Sequence, residues 1–128
     1  MIYLDSSVIL SALLRERVQP AAAIWSEPLA TSRLTLYEVW NRLYAYGAVP
    51  EARAAAADLL AGLDFMELTS ANLARALEPF PVPVRSLDSL HLASAIALSQ
   101  TGVEVAFATY DRRLARAAAA LDLPLFPL

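Results

Sequence analysis

The sequence predicts a single α/β domain in which helices cover a parallel sheet of short strands, and three observations carry that prediction. Short apolar runs alternate along the whole chain with longer stretches of helical period, the pattern of βαβ units joined by right-handed crossovers. No low-complexity tract, linker or internal repeat divides the 128 residues, so residues 1–128 read as one domain. The composition, 58 % hydrophobic and 18 % charged, is more apolar than average. A chain of this length buries roughly two-thirds of the surface of its unfolded state.

Ile2-Tyr3-Leu4 is a short buried strand, and Ser6 to Leu14 follows as a helix with Val8, Leu10, Ala12 and Leu14 among its apolar positions. Pro20, at a first-turn position, opens a short second helix through Trp25. Pro28-Leu29-Ala30-Thr31 is the second strand. A strong helix runs from about Leu36 to Tyr46, with Leu36, Val39, Trp40 and Leu43 on one stripe and Gly47 as its stop. Pro50 opens an alanine-rich helix to about Leu63, Phe65-Met66-Glu67-Leu68 is the third strand, and Ser70 to Leu77 is another helix. Pro79-Phe80-Pro81-Val82-Pro83 cannot continue that helix and forms a stiff loop. Ser86 caps a long apolar helix that ends near Gly102. Val105-Ala106-Phe107-Ala108 is the fourth strand, Arg112 to Leu121 the last helix, and Pro124 to Phe126 a short closing strand.

Composition excludes several classes of function. There is no cysteine, which removes disulfide scaffolds, thiolate zinc sites and cysteine nucleophiles. The first residues lack a basic region and hold Asp5 inside the first apolar run, unlike a signal peptide. The longest stretch free of Asp, Glu and Arg, Ser89 to Val103, is too short to span a bilayer. A soluble, cytoplasmic protein with no membrane association is expected. All 10 cationic side chains are arginine and stand against 13 acids, a net charge of −3, which argues against a simple basic nucleic-acid-binding module.

Sheets of this kind bind ligands at the carboxyl ends of their strands, near the topological switch point. Four acids fall there by sequence: Asp5 ends the first strand, Glu38 starts the helix after the second, Asp88 starts the long helix, and Asp111 follows the fourth strand with Thr109. Taken singly, each has a local use. Asp5 and Asp111 suit helix N-caps, and Asp88 lies in a first turn that favours an anion. Glu38 completes a capping box with Thr35 or pairs with Arg42. Taken together, converging carboxylates repel one another and call for a cation. Oxygen ligands without cysteine favour Mg²⁺ or Mn²⁺ over zinc. Such an ion suits phosphodiester chemistry, because it acidifies water, neutralises the phosphate and stabilises the leaving oxygen.

These residues match a family in order and spacing. Ile2-Tyr3-Leu4-Asp5-Ser6-Ser7, Thr35-Leu36-Tyr37-Glu38-Val39, Ser86-Leu87-Asp88-Ser89-Leu90-His91-Leu92-Ala93 and Thr109-Tyr110-Asp111-Arg112-Arg113-Leu114 resemble the four motifs of the PIN-domain ribonucleases. The resemblance is closest to the VapC toxins of bacterial and archaeal toxin–antitoxin pairs, and it covers essentially the whole chain. It implies a five-stranded parallel sheet between helices and an acidic pocket for Mg²⁺ or Mn²⁺. It also implies endonucleolytic RNA cleavage leaving a 5′-phosphate and a 3′-hydroxyl. On that resemblance, Asp5 and Asp88 are the principal metal ligands. Glu38 and Asp111 complete the cluster or serve a second ion, and the hydroxyls of Ser6 and Thr109 orient carboxylates or water. The family further implies a homodimer and an antitoxin whose tail occupies the acidic groove. Asp122 stands where the family often has glycine, and Asp tolerates the left-handed turn such a position requires.

Other residues divide between structure and function. His91, the only histidine, lies one helical turn beyond Asp88 and reads as a packed, hydrogen-bonded residue before it reads as a general base. Arg85, Arg112 and Arg113 are candidates for RNA phosphate contacts, with solvated arginines as the plain reading. Trp25, Tyr37, Trp40, Tyr44 and Tyr46 are more aromatics than one small core hides, so part of the cluster is expected at an oligomer interface. The alternative function is a non-catalytic module of the same fold that binds a partner's arginines. A phosphoryl-transfer enzyme of the haloacid-dehalogenase type is disfavoured, because it needs an aspartate where Ser7 stands. Without the four site carboxylates the chain holds 9 acids against 10 arginines, so its acidity is largely that of the candidate site.

Overall fold

The computed structural model describes all 128 residues. In chain order the elements are β1 (Ile2–Leu4), α1 (Ser6–Leu13), a 3₁₀ turn (Ala22–Ser26), β2 (Leu29–Ser32), α2 (Leu34–Ala45), α3 (Val49–Ala61), β3 (Asp64–Met66), α4 (Ser70–Leu77), α5 (Ser86–Ser99), β4 (Ala106–Ala108) and α6 (Arg112–Ala119). The sheet is parallel throughout, in the order β3-β2-β1-β4. The chain therefore builds outward from β1 through β2 to β3. It then crosses back through α4 and α5 to place β4 on the other side of β1. That reversal is the topological switch point, and it opens a crevice above the carboxyl ends of β1 and β4.

Period-two alternation in β1 divides the core. Ile2 and Leu4 face one side with Val8, Ile9, Val39, Leu43 and the Ala52/Ala56/Leu60 stripe of α3. Tyr3 faces the other side with Leu92, Leu98, Phe107, Leu114 and Ala118 from α5, β4 and α6. Both faces of the sheet are thus covered, which explains the apolar composition. Gly47 at φ 62° stops α2, and Asp122 at φ 58° takes the left-handed turn after α6 as its residue type allows.

The expected fifth strand is a correction: four strands form, and the closing segment makes only one parallel bridge, Phe107 to Leu125. Two hydrogen bonds hold it, Phe107 N–H to Pro124 O at 2.7 Å and Phe126 N–H to Phe107 O at 2.8 Å. Pro124 and Pro127 flank this pair and carry no N–H, so the ladder cannot extend. Pro20 likewise does not open a helix; it is buried two residues ahead of the 3₁₀ turn. Ser86 is helical and caps nothing, because Arg85 occupies the N-cap of α5 without a side-chain cap.

The expected capping box at Thr35 is also absent. Arg33 is the N-cap of α2, and Ser32 Oγ accepts from the Leu34 N–H at 3.2 Å. The Thr35 hydroxyl turns inward instead, 2.6 Å from Thr31 Oγ1, and Thr31 Oγ1 in turn donates to Leu4 O at 2.7 Å. With the Thr31 proton committed to that carbonyl, Thr35 is the donor between the two hydroxyls. This buried chain pins α2 and β2 to the end of β1 and presents Glu38, one turn beyond Thr35, to the crevice. Thr35→Val removes a single hydrogen bond and should destabilise the protein by about 1 kcal/mol. Thr31→Val strands both a carbonyl and a hydroxyl, and should destabilise it by about 2 kcal/mol or more in urea unfolding. Equal effects of the two substitutions would contradict the chain.

Candidate active site

Asp5 lies near enough to Glu38, and Asp88 to Asp111, for their charges to act on one another, and burial grades the four acids. Asp5, immediately after β1, is only 5 % exposed. It occupies the N-cap position of α1 without capping it. Its Oδ1 instead accepts from Ser7 Oγ at 2.6 Å, and Ser7 Oγ accepts from the Tyr110 N–H at 2.9 Å. Burial pushes the Asp5 carboxyl from its ordinary 3.8 up to about 6. The Ser7 hydroxyl, His91 and the Thr109 hydroxyl pull it down, while the nearby charge of Glu38 pushes it up. Asp88, half-buried in the first turn of α5, is raised by burial and then by the charge of Asp111, against lowering by His91 and Arg85. His91 thus acts on both Asp5 and Asp88.

Asp111 does what its sequence context suggested and caps α6, its Oδ1 accepting from Arg113 N–H at 2.8 Å and Leu114 N–H at 3.2 Å. Thr109 Oγ1 accepts from the Asp111 N–H at 2.9 Å and fixes that turn. Glu38 neither closes a capping box nor pairs with Arg42, whose guanidinium lies 5.7 Å from the Tyr46 ring centroid. Its Oε2 lies 2.7 Å from His91 Nε2. His91 is buried at 2 % exposure with its Nδ1 3.1 Å from Tyr3 Oη. The arginine ion pairs of the chain are Arg33–Glu67 and Arg75–Glu78, so none of the four acids has an arginine within ion-pair distance.

Three residues of this network were not singled out by sequence. Ser7, rather than Ser6, makes the hydroxyl contact to Asp5; the Asp-x-Ser spacing is its only local signal. Tyr3 is marked by strand alternation, which turns it away from Ile2 and Leu4, and Thr31 by its place at the end of β2. Among the candidate phosphate contacts, Arg85 and Arg113 line a small cavity of about 180 Å³ with Pro83, Val84 and Asp88, while Arg112 is exposed outside it. The aromatic cluster divides. Trp25 and Trp40 pack against the first core, whereas Tyr37, Tyr44 and Tyr46 are exposed.

Could these residues hold a divalent ion? The donors are hard oxygens that no arginine pairs with, and Asp5 is a buried carboxylate whose only short side-chain partner is the Ser7 hydroxyl, which suits Mg²⁺ or Mn²⁺. No three Asp, Glu or His side chains are grouped closely enough to enclose an ion alone. The arrangement therefore fits a hydrated ion, bound through one or two carboxylates and its own waters, better than a fully dehydrated one.

Fold and site together define an α/β domain with an acidic crevice at the switch point of a parallel sheet. The description of the PIN domain matches residues 2–120, and the chain belongs to the PIN domain family. Among curated relatives, Ribonuclease VapC47 of Mycobacterium tuberculosis is 35 % identical over 89 % of this chain and 87 % of its own length. Ribonuclease VapC35 of the same species is 35 % identical over 96 % and 93 %. The chain is thus a VapC-type member of the family. Two solved structures share the fold. One is a toxin–antitoxin complex from Klebsiella pneumoniae, with TM-score 0.67 and 15 % identity over 100 % of this chain and 98 % of that one. The other is VapBC2 from Rickettsia felis bound to a DNA fragment from their promoter, with TM-score 0.72 and 16 % identity over 98 % of each. No helix is long and apolar enough to cross a membrane.

The raised Asp5 pKa has a thermodynamic sign. The folded state binds this proton more tightly than the unfolded chain, so metal-free stability falls as pH rises from about 4 to about 6 and stays lower above that range. A shift from 3.8 to about 6 corresponds to about 3 kcal/mol. Asp5→Asn keeps an acceptor for Ser7 and removes the buried charge. In EDTA it should be more stable than the wild type at pH 8 by about 2 kcal/mol, with the gap closing near pH 4. Urea unfolding across that range checks it, and a variant less stable at pH 8 would refute the assignment.

Proposed function

We propose that this protein is a divalent-metal-dependent endoribonuclease and the toxin half of a toxin–antitoxin pair. The observation that carries the reading is the acidic crevice itself, in which Asp5, Asp88 and Asp111 have no arginine partner, on a chain whose relatives are VapC ribonucleases. Asp5 and Asp88 would be the principal ligands of Mg²⁺ or Mn²⁺, with Glu38 and Asp111 supporting them or serving a second ion. Such an ion would supply charge neutralisation at the scissile phosphate and a more acidic attacking water, giving 5′-phosphate and 3′-hydroxyl ends.

The chain's own residues do the rest. Ser7 and Thr109 hold Asp5 in place, and Asp111 is locked by its cap. Arg85 and Arg113, beside Asp88, are placed to grip RNA phosphate, with Arg112 at the margin. The same acidic groove is the docking place for basic side chains of an antitoxin, in keeping with the complexes of the Klebsiella and Rickettsia neighbours. The cytoplasm, where RNA is met, is the compartment this reading requires.

Asp5→Asn and Asp88→Asn should each lower RNA cleavage by at least 100-fold and relieve growth inhibition on expression. Excess EDTA should stop the wild type, and Mn²⁺ or Mg²⁺ should restore it. Cleavage persisting in EDTA, or binding of a basic peptide without cleavage at any Mn²⁺ concentration, would remove the enzymatic reading.

The homodimer belongs to this reading as well. Tyr37 and Tyr44, 73 % and 61 % exposed, flank a surface depression of about 440 Å³ with Leu36 and Trp40, an apolar face suited to a second copy. Tyr37→Glu should convert the dimer to monomer in sedimentation; a wild type that sediments as a monomer at high micromolar concentration overturns this assignment.

A further inference from the structure

One of the four carboxylates is held differently from the others. Asp5 and Asp111 are helix N-caps by position, and Asp88 lies in a first turn, where helix dipoles favour an anion. Glu38 lies beyond the first turn of α2 and has no such support. Its partner is instead a buried relay from the opposite face of the sheet. Tyr3 Oη stands 3.1 Å from His91 Nδ1, and His91 Nε2 stands 2.7 Å from Glu38 Oε2.

Chemistry sets the direction of the bond to Glu38. A carboxylate only accepts, so Nε2 carries the proton. The Tyr3 hydroxyl, fully buried, holds the other ring nitrogen and so fixes the plane of the imidazole with Nε2 toward Glu38. Packing does not require a histidine here: Leu92, Ala93 and Ala95 beside it fill the same buried stretch of α5 with apolar groups. The relay joins β1, α5 and α2. Because α5 also carries Asp88, it fixes Glu38 relative to that carboxylate.

We propose that His91 is a positioning residue for Glu38, with Tyr3 fixing the orientation of its ring. The catalytic consequence rests on the ribonuclease reading; the relay itself does not. Carboxylates near a metal are commonly oriented by such outer partners, whose loss typically lowers affinity or activity 10–100-fold.

The test uses full-length wild type, His91→Leu, His91→Gln, Tyr3→Phe, Glu38→Ala and the His91→Leu/Glu38→Ala double variant. Gln carries an amide N–H able to take the place of Nε2–H, and it guards against a Leu variant that fails to fold. ¹⁵N NMR of the metal-free wild type should show His91 Nε2 carrying a proton hydrogen-bonded to Glu38, with that signal lost in Glu38→Ala and broadened in Tyr3→Phe. His91→Leu should lower kcat on RNA roughly 10–100-fold with KM within about twofold, and His91→Gln should recover most of the loss. Unfolding midpoints in EDTA should be non-additive, with His91→Leu mattering less once Glu38 is alanine. An Nδ1–H tautomer, additive unfolding effects, or a Gln variant as impaired as Leu overturns the proposal. If the wild type cuts no RNA, the ribonuclease reading fails, and the tautomer and unfolding cycle decide the relay independently.

Discussion

The rest of this structure is organised around an electrostatic conflict: anions gathered at one edge of a sheet, the most buried of them without a cation. Asp5 sits at the end of β1 where β4 and α1 also meet, and its desolvation is the largest single influence on its proton affinity. A chain that left this unanswered would lose stability to its own active site. The compensation is distributed. Three helices, α1, α5 and α6, start at the crevice and direct their positive ends toward Asp5, Asp88 and Asp111. Each such placement is worth about 0.3–1 kcal/mol. Ser7 supplies a short hydrogen bond, and His91 answers Glu38, the one acid that lacks a helix start.

This arrangement follows from topology. Parallel strands all end on the same side, and every helix that follows a strand begins there. Central placement of β1 between β2 and β4 makes its last residue the floor of the crevice, and the reversal toward β4 brings Thr109 and Asp111 to the same floor. The two packed faces then set which side chains can reach it. Tyr3, turned toward α5, reaches His91; Thr31, at the end of β2, reaches Thr35 and steers α2. The site is therefore tied through β1 to both halves of the core.

Much of this was legible in the sequence, for definite reasons. The helical stripe of α2, the Gly47 stop, the Asp111 cap and the left-handed Asp122 are local features, fixed by residues within a turn of one another. Strand–helix alternation placed Asp5, Asp88 and Asp111 correctly at a strand end or helix start. It did not place Glu38, because α2 begins at Leu34, two residues before the expected Leu36, and leaves Glu38 beyond its first turn. What could not be read was which of two available partners a polar side chain would take. Thr35 and Glu38 had the spacing of a capping box, but a hydroxyl from β2 and an imidazole from α5 were the partners they met. Ser7 and Ser6 are equally plausible neighbours of Asp5 until the Tyr110 amide decides between them. The closing segment read as a strand by its apolar residues, and its prolines limited it to one bridge. Each of these outcomes depends on a residue far away in sequence.

Net charge was the weakest guide, and the structure explains why. The total of −3 sums groups that act in different places. The carboxylates are concentrated in one crevice, while Arg85 and Arg113 stand unpaired at its edge and Arg33 and Arg75 are engaged with Glu67 and Glu78. Arg85 and Arg113 share one small cavity with Asp88, so cation and anion stand side by side there. Whether an anionic polymer is repelled or drawn in is decided within a Debye length of about 8–10 Å, so the local order of arginine and carboxylate governs the encounter. The molecular total does not.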